Sequence, residues 1–264
     1  MNLVMHEGAA KVIDEIRFRP GFYIVQGPNG IGKRSLLLKQ LSRDSHQIIE
    51  PDGKSIKVES VKNIAQTLSL KRDGSHYIVI DRAEALTEHA QNALLKTLEE
   101  LPQNIGIIMI TAFSERLLPT VRSRATIRTI SRPSEKVVMQ WLESTVSSDE
   151  AQQLIEGIGP YPGQLQLYIS DETEKSQYQA NRQTVLELLE APKLSQRLHA
   201  AAQLTDNLEG ALSLSSRLAR YNLRQNSTKF WLEVCLACEY ANTLFFANCN
   251  KKLVLDSIAM RLYR

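Results

Sequence analysis

The run GPNGIGKRS, residues 27–35, has the residue types that wrap a polyphosphate. Gly27, Gly30 and Gly32, with Asn29 between them, allow backbone N–H groups to approach phosphate oxygens. Lys33 can reach the terminal phosphates, and a helix starting there adds positive potential. The position after the lysine ordinarily holds a Ser or Thr hydroxyl that ligates Mg²⁺. Here it is Arg34, which carries donors only and places a cation where the metal would sit. Ser35 comes one position late and points about 100° further around the helix. The expectation is a degenerate phosphate loop with weak or absent ATP or ADP binding and no metal. A glycine turn that binds nothing is the rival reading, but the loop lies between an apolar strand and a helix, as a phosphate loop requires.

A second run, YIVIDRAE at residues 77–84, ends a strand in an acid. Such an acid orients Mg²⁺ and its water, and a neighbouring Glu polarises the attacking water. Asp81 is present, while Arg82 takes the Glu position. Glu84 reads as a surface residue favoured by the start of a helix. If the pocket is inactive, Asp81 reduces to a solvated acid at a strand end. Losing both the metal hydroxyl and the base costs more than losing either.

The elements around these residues alternate. Apolar runs at residues 22–25, 46–49, 77–80, 107–110 and 127–130 read as strands. Between them, Leu36, Leu37 and Leu41, then Val61 and Ile64, then Ala90, Leu94 and Leu98 recur at helical spacing, with Thr87 as a cap for the last. Strands apolar on both faces that alternate with helices indicate a parallel sheet covered on both sides. After Pro133 only helices follow. One starts near Ser134 and carries Val138, Trp141 and Leu142; a second spans about 149–158; a third follows the GPYPG turn at residues 159–163. The expected domains are an α/β phosphate-loop domain at 1–132, a small helical lid domain at 133–178 and a C-terminal helical domain at 179–264.

With 264 residues, 43% hydrophobic and 23% charged, the composition is that of an ordinary globular chain. A net charge of +3 excludes a polycation, so any nucleic-acid contact must come from a local patch. No apolar run reaches the length of about 18 residues that a membrane span needs. The start lacks the basic-then-apolar layout of a secretory leader. Three cysteines suggest a reducing compartment, and the expected location is cytoplasmic. Cys235 and Cys238 form a CxxC pair on an apolar helix. Two further ligands would be needed for zinc, so the pair reads as small core residues. His6, His46, His76, His89 and His199 show no ligand spacing. Lys57, Lys62, Lys71, Arg72 and Arg116 could face DNA phosphates, and a solvated surface is the plainer account.

The stretch IDRAEALTEHAQNALLKTLEELP, residues 80–102, resembles the AAA+ clamp-loader subunits of bacterial DNA polymerase III. So does ERLLPTVRSRA at residues 115–125, which is similar to the family's Ser-Arg-Cys motif. The stretches at residues 45–64 and 159–167 resemble the delta-prime pattern in particular. This resemblance implies an AAA+ domain, a lid and a collar of helices through which five subunits form a ring. ATP lies between neighbours, and the arginine of the Ser-Arg-Cys motif reaches across as a finger. By that match Arg124 is the finger, Ser123 stands beside it, and Thr111 occupies the sensor position. The implied partners are gamma/tau-like ATPase and delta subunits in a hetero-pentameric ring, a sliding clamp and, indirectly, primed DNA. Arg34, Arg82 and Gln164 depart from the ATP-hydrolysing members, Ala125 replaces the motif cysteine, and the four-cysteine zinc module has no room. The implied role is a delta-prime-like ring member inactive as an ATPase. The alternatives are an active gamma/tau-like motor subunit and a stand-alone phosphate-loop protein.

Overall fold

The computed structural model describes residues 7–68 and 74–263. Lys71, Arg72 and His6 lie outside them. The chain forms two compact units. One holds the chain up to Ser134 together with Tyr161–Gly163, and the other holds Glu135–Pro160 and the chain from Gln164 onward.

The first unit runs α1 (Glu7–Phe18), β1 (Phe22–Gln26), α2 (Lys33–Gln40), β2 (Ser45–Ile49), α3 (Val58–Leu68), β3 (His76–Ile80), α4 (Glu88–Glu99), β4 (Ile105–Thr111), α5 (Pro119–Arg122) and β5 (Thr126–Thr129). The strands form one sheet in the order β2-β3-β4-β1-β5, and every pairing is parallel. Alternate side chains on a strand face opposite sides of a sheet, and the core divides accordingly. Ile24, Ile78, Ile80, Ile107 and Met109 pack with Val61 and Ile64 of α3 and Leu94 and Leu98 of α4. Their neighbours Tyr23, Val25, Val79, Ile108 and Ile110 pack with Ile13 and Ile16 of α1 and Leu36 and Leu37 of α2.

The expectation that every strand is apolar on both faces holds for β3 and β4, which are buried throughout. It does not hold for β2 and β5. Each is an edge strand with a single neighbour, and both are partly exposed. β5 starts and ends one residue earlier than the apolar run 127–130 suggests: Ile127 faces out and only Ile130, beyond the strand, is buried.

A parallel sheet directs all its strand C-termini to one edge. The turn after β1, Asp81 after β3 and Thr111 at the end of β4 therefore share that edge. Thr87 caps α4, its Oγ1 accepting the Ala90 N–H at 3.2 Å.

The second unit is helical: α6 (Glu135–Glu143), α7 (Ser148–Gly157), α8 (Pro162–Ser170) from Gln164 onward, α9 (Glu172–Glu190), α10 (Leu194–Gln203), α11 (Leu208–Asn226), α12 (Lys229–Phe246) and α13 (Lys251–Arg261). The division expected at 178/179 falls inside α9, and the helices on both sides of it belong to the same compact unit. Leu188 and Leu189 of α9, Leu212 and Leu218 of α11, Val234 and Cys238 of α12 and Leu255 of α13 share one core. Cys238 is packed there, and burial pushes its thiol up to about 12. Arg197 of α10 is also buried. It donates to the Leu189 carbonyl at 2.7 Å and the Ala191 carbonyl at 2.6 Å, at the end of α9. Helix C-termini leave carbonyls without internal partners, and a guanidinium satisfies several at once. Among the described residues no helix is long and apolar enough to cross a membrane.

Candidate functional site

The loop after β1 is held by backbone contacts. The Gly27 N–H donates to the Thr111 carbonyl at 3.2 Å, and the Ile130 N–H donates to the Gln26 carbonyl at 2.8 Å. A Cβ on Gly27 would lie 2.3 Å from the Ile130 carbonyl oxygen, so glycine is required by this close approach. Gly30 and Gly32 adopt φ of 81° and 85°, in the left-handed region that side chains disfavour. Helix α2 then begins at Lys33 with no side-chain cap.

Lys33 is buried and turned back onto its own loop. Its Nζ donates to the Gly27 carbonyl at 2.7 Å and the Pro28 carbonyl at 2.9 Å. Burial lowers its pKa, against the opposing pull of Glu84 and Asp81. Glu84, expected at the surface, is half-buried, and its Oε2 is shielded with no hydrogen-bond partner. The local sequence points Glu84 outward, but the turn at Ala83–Ala85 brings its carboxylate into the electrostatic range of the lysine.

Arg34 lies among acids. Its Nη2 pairs with Glu50, beyond β2, and its Nη1 lies 3.5 Å from Asp81 Oδ2. The other Asp81 oxygen, Oδ1, accepts the Arg82 backbone N–H at 3.0 Å. Both oxygens of the strand-end acid are thus engaged, one by the residue that follows the loop lysine. These partly exposed ion pairs contribute little stability, on the order of 0–1 kcal/mol each. Their consequence is local: a dication placed there would meet a guanidinium and an acid already committed to it. Arg82 has an exposed side chain and a left-handed backbone, φ 48°.

Two further contacts complete the surroundings. The Gly163 N–H donates to the Gly30 carbonyl at 2.8 Å, and a Cβ at Gly163 would lie 2.8 Å from the Gly32 nitrogen. The segment Tyr161–Gly163 therefore lies directly on the loop. Tyr161 is held by Arg132, whose Nη1 donates to its hydroxyl at 3.3 Å. At the strand ends, Gln26 Oε1 accepts the Ser114 hydroxyl at 2.5 Å, and Gln26 Nε2 donates to Thr129 Oγ1 at 2.9 Å. No motif marks Glu50, Gln26 and Ser114 in the sequence. Each acts through a partner from another element: Glu50 through Arg34 of α2, Ser114 through Gln26 of β1, and Gln26 also through Thr129 of β5.

Thr111 is buried, and its Oγ1 accepts the Phe113 N–H at 3.0 Å, closing the turn after β4. Gln164, on α8, accepts from Arg217 Nη1 at 3.4 Å. Asn29 lies in the loop between Gly27 and Gly30. Lys57 and Lys62 are exposed on and just before α3, and Arg116 lies over the Phe113 ring, 4.7 Å from its centroid.

Arg124 is not part of this cluster. It follows α5, is exposed, and makes its hydrogen bonds with α4 and α5. Its Nε donates to Glu99 Oε1 at 3.0 Å, and its Nη1 donates to the Thr120 carbonyl at 2.8 Å. The Ser123 hydroxyl donates to the same carbonyl at 3.1 Å.

This arrangement of sheet, loop and strand-end acid has clear relatives. A family profile described as DNA polymerase III, delta subunit, matches residues 32–134. The DNA polymerase III subunit delta' of Haemophilus influenzae is 35% identical over 114 residues, 42% of this chain and 35% of that protein. Over these residues the α/β unit is similar to the delta-prime subunits of DNA polymerase III. Subunit delta' of Pseudomonas aeruginosa is 28% identical over 166 residues, covering 51% of this chain and 50% of that protein. The chain therefore matches half or less of the length of these delta-prime relatives. A DNA polymerase III gamma subunit-related protein from Thermotoga maritima superposes with a TM-score of 0.60 at 20% identity, covering 97% of this chain and 98% of that one. At that identity the likeness concerns the fold alone: a parallel α/β sheet unit with a helical C-terminal region.

Proposed function

We propose that this chain is a delta-prime-like member of a replicative clamp-loader ring that does not hydrolyse ATP in its own pocket and delivers Arg124 to the ATP site of a neighbour. The observation that carries the first half is the state of Asp81. One oxygen is engaged by Arg34 and the other by the Arg82 N–H. Lys33 Nζ, which would meet the terminal phosphates, donates to the Gly27 and Pro28 carbonyls, and the Gly163 N–H donates to the Gly30 carbonyl. The second half rests on the Ser123-Arg124 motif and on its exposed position away from the loop. A cation placed against the developing charge of a transferred phosphoryl group acts without an active site in its own subunit. The partners of this reading are gamma/tau-like ATPase and delta subunits in a five-membered ring, the sliding clamp that the ring opens, and primed DNA. The helices after the lid would form the collar. Leu232, Leu236 and Tyr240 recur at four-residue spacing on the outer face of α12 and are exposed, which suits the helical face of another loader subunit.

Two experiments test this reading. In a reconstituted loader, Arg124→Ala is expected to cut clamp- and DNA-stimulated ATPase by about 10³-fold at the affected site. ATPase at the wild-type level would refute delivery in trans. By calorimetry, the isolated chain is expected to show no Mg-dependent ATP binding, and Arg34→Thr with Arg82→Glu to gain it. Tight Mg-ATP binding by the unaltered chain would favour the motor-subunit reading instead.

A further inference from the structure

We propose that Glu99 competes with a neighbour's ATP for Arg124, holding the guanidinium in reserve until a terminal phosphate displaces it. This rests on the reading of Arg124 as the residue delivered in trans. Each of the three guanidinium nitrogens of Arg124 donates one hydrogen bond within its own chain. Nε and Nη2 both donate to Glu99 Oε1, at 3.0 and 2.5 Å, and Nη1 donates to the Thr120 carbonyl at 2.8 Å. A guanidinium that reaches across an interface must therefore leave a partner, and the carboxylate is the one that a phosphate replaces in kind.

The geometry suits exchange. Both nitrogens meet one oxygen, so the pair lacks the two-oxygen fork that makes arginine–carboxylate contacts strong. The two side chains are 36% and 53% exposed, so solvent screens their attraction. A terminal phosphate offers three strong acceptor oxygens and more negative charge, and at a subunit interface it is less screened. The Thr120 carbonyl need not be given up. It holds both Nη1 and the Ser123 hydroxyl, so the guanidinium can pivot about that carbonyl while Nε and Nη2 change partner. After the phosphate leaves, Glu99 recaptures Arg124, and the contact across the interface is lost in the product state. Glu99 is thus a positioning residue that acts only through Arg124.

The test measures the affinity of the labelled full chain for the ATPase subunits, by fluorescence anisotropy, with a non-hydrolysable ATP analogue and with ADP. Glu99→Gln keeps the size and removes the charge. Its affinity with the analogue is expected to rise about two- to fivefold, the range for an exposed ion pair, with no change in ADP. Glu99→Asp should lie between wild type and Glu99→Gln. In an Arg124→Ala background Glu99→Gln should have no effect in either nucleotide. An unchanged or weaker affinity with the analogue, an equal shift in ADP, or a shift that persists without Arg124 would each overturn the role of Glu99. If Arg124→Ala alone changes neither affinity nor ATPase, the trans reading itself fails, which is a separate result.

Discussion

At the scale of single residues, Arg34 does more than leave the position after Lys33 without a hydroxyl. It supplies a fixed positive charge to Asp81 and Glu50, so the strand-end acid is neutralised without an ion. In the proposed role Arg34→Thr alone would leave Arg82 next to Asp81, where a Glu would be needed, which is why the test variant alters both. Gly163 is the less obvious participant. Its Cβ-free backbone rests on Gly30 and Gly32, and Gly163→Ala would place a methyl group 2.8–2.9 Å from loop backbone atoms. Backbone cannot rotate away as a side chain can, so this variant is expected to lose about 1–3 kcal/mol in denaturant unfolding. An unchanged unfolding midpoint would show that the segment is not seated on the loop.

At the scale of elements, the order strand–loop–helix was legible because it is local. An apolar run, a glycine cluster and a leucine repeat follow one another within a few turns. Thr87 was legible for the same reason, since a cap needs only its own helix. The end of α9 was not. Nothing in the residues near Glu190 announces that its carbonyls are satisfied by Arg197, which arrives from the next helix. Arg197→Met should keep much of the buried stem while leaving the Leu188, Leu189 and Ala191 carbonyls unpaired. The expected loss is about 1–3 kcal/mol, larger than the cost of about 1 kcal/mol for Thr87→Ala. Thermal unfolding of the two variants side by side decides the order.

At the scale of the whole molecule, the two compact units carry different tasks in the proposed role. The first presents the silent loop and Arg124, and the second presents the exposed stripe of α12. Leu236→Lys should leave the unfolding temperature of the isolated chain within a degree or two, because a single exposed surface position changes stability by less than about 0.5 kcal/mol. It should weaken assembly with the other loader subunits by about tenfold or more if the stripe is a central contact. Assembly at wild-type strength, measured by light scattering, would move the collar contact elsewhere.

Reading the linear pattern was enough to establish the parallel α/β sheet, the glycine-rich loop after its first strand, the arginines at 34 and 82, and the resemblance to clamp-loader subunits. All of these depend on spacing within short stretches, where periodicity and motif order survive without coordinates. Four facts required the folded chain: Arg34 between Glu50 and Asp81, Lys33 turned onto its own loop, Gly163 seated on that loop, and Arg124 tied to Glu99. Of these, all but the Lys33 contact join residues at least 16 positions apart. Such distances are closed only by packing the sheet and its helices, and neither composition nor local spacing records which charge will face which.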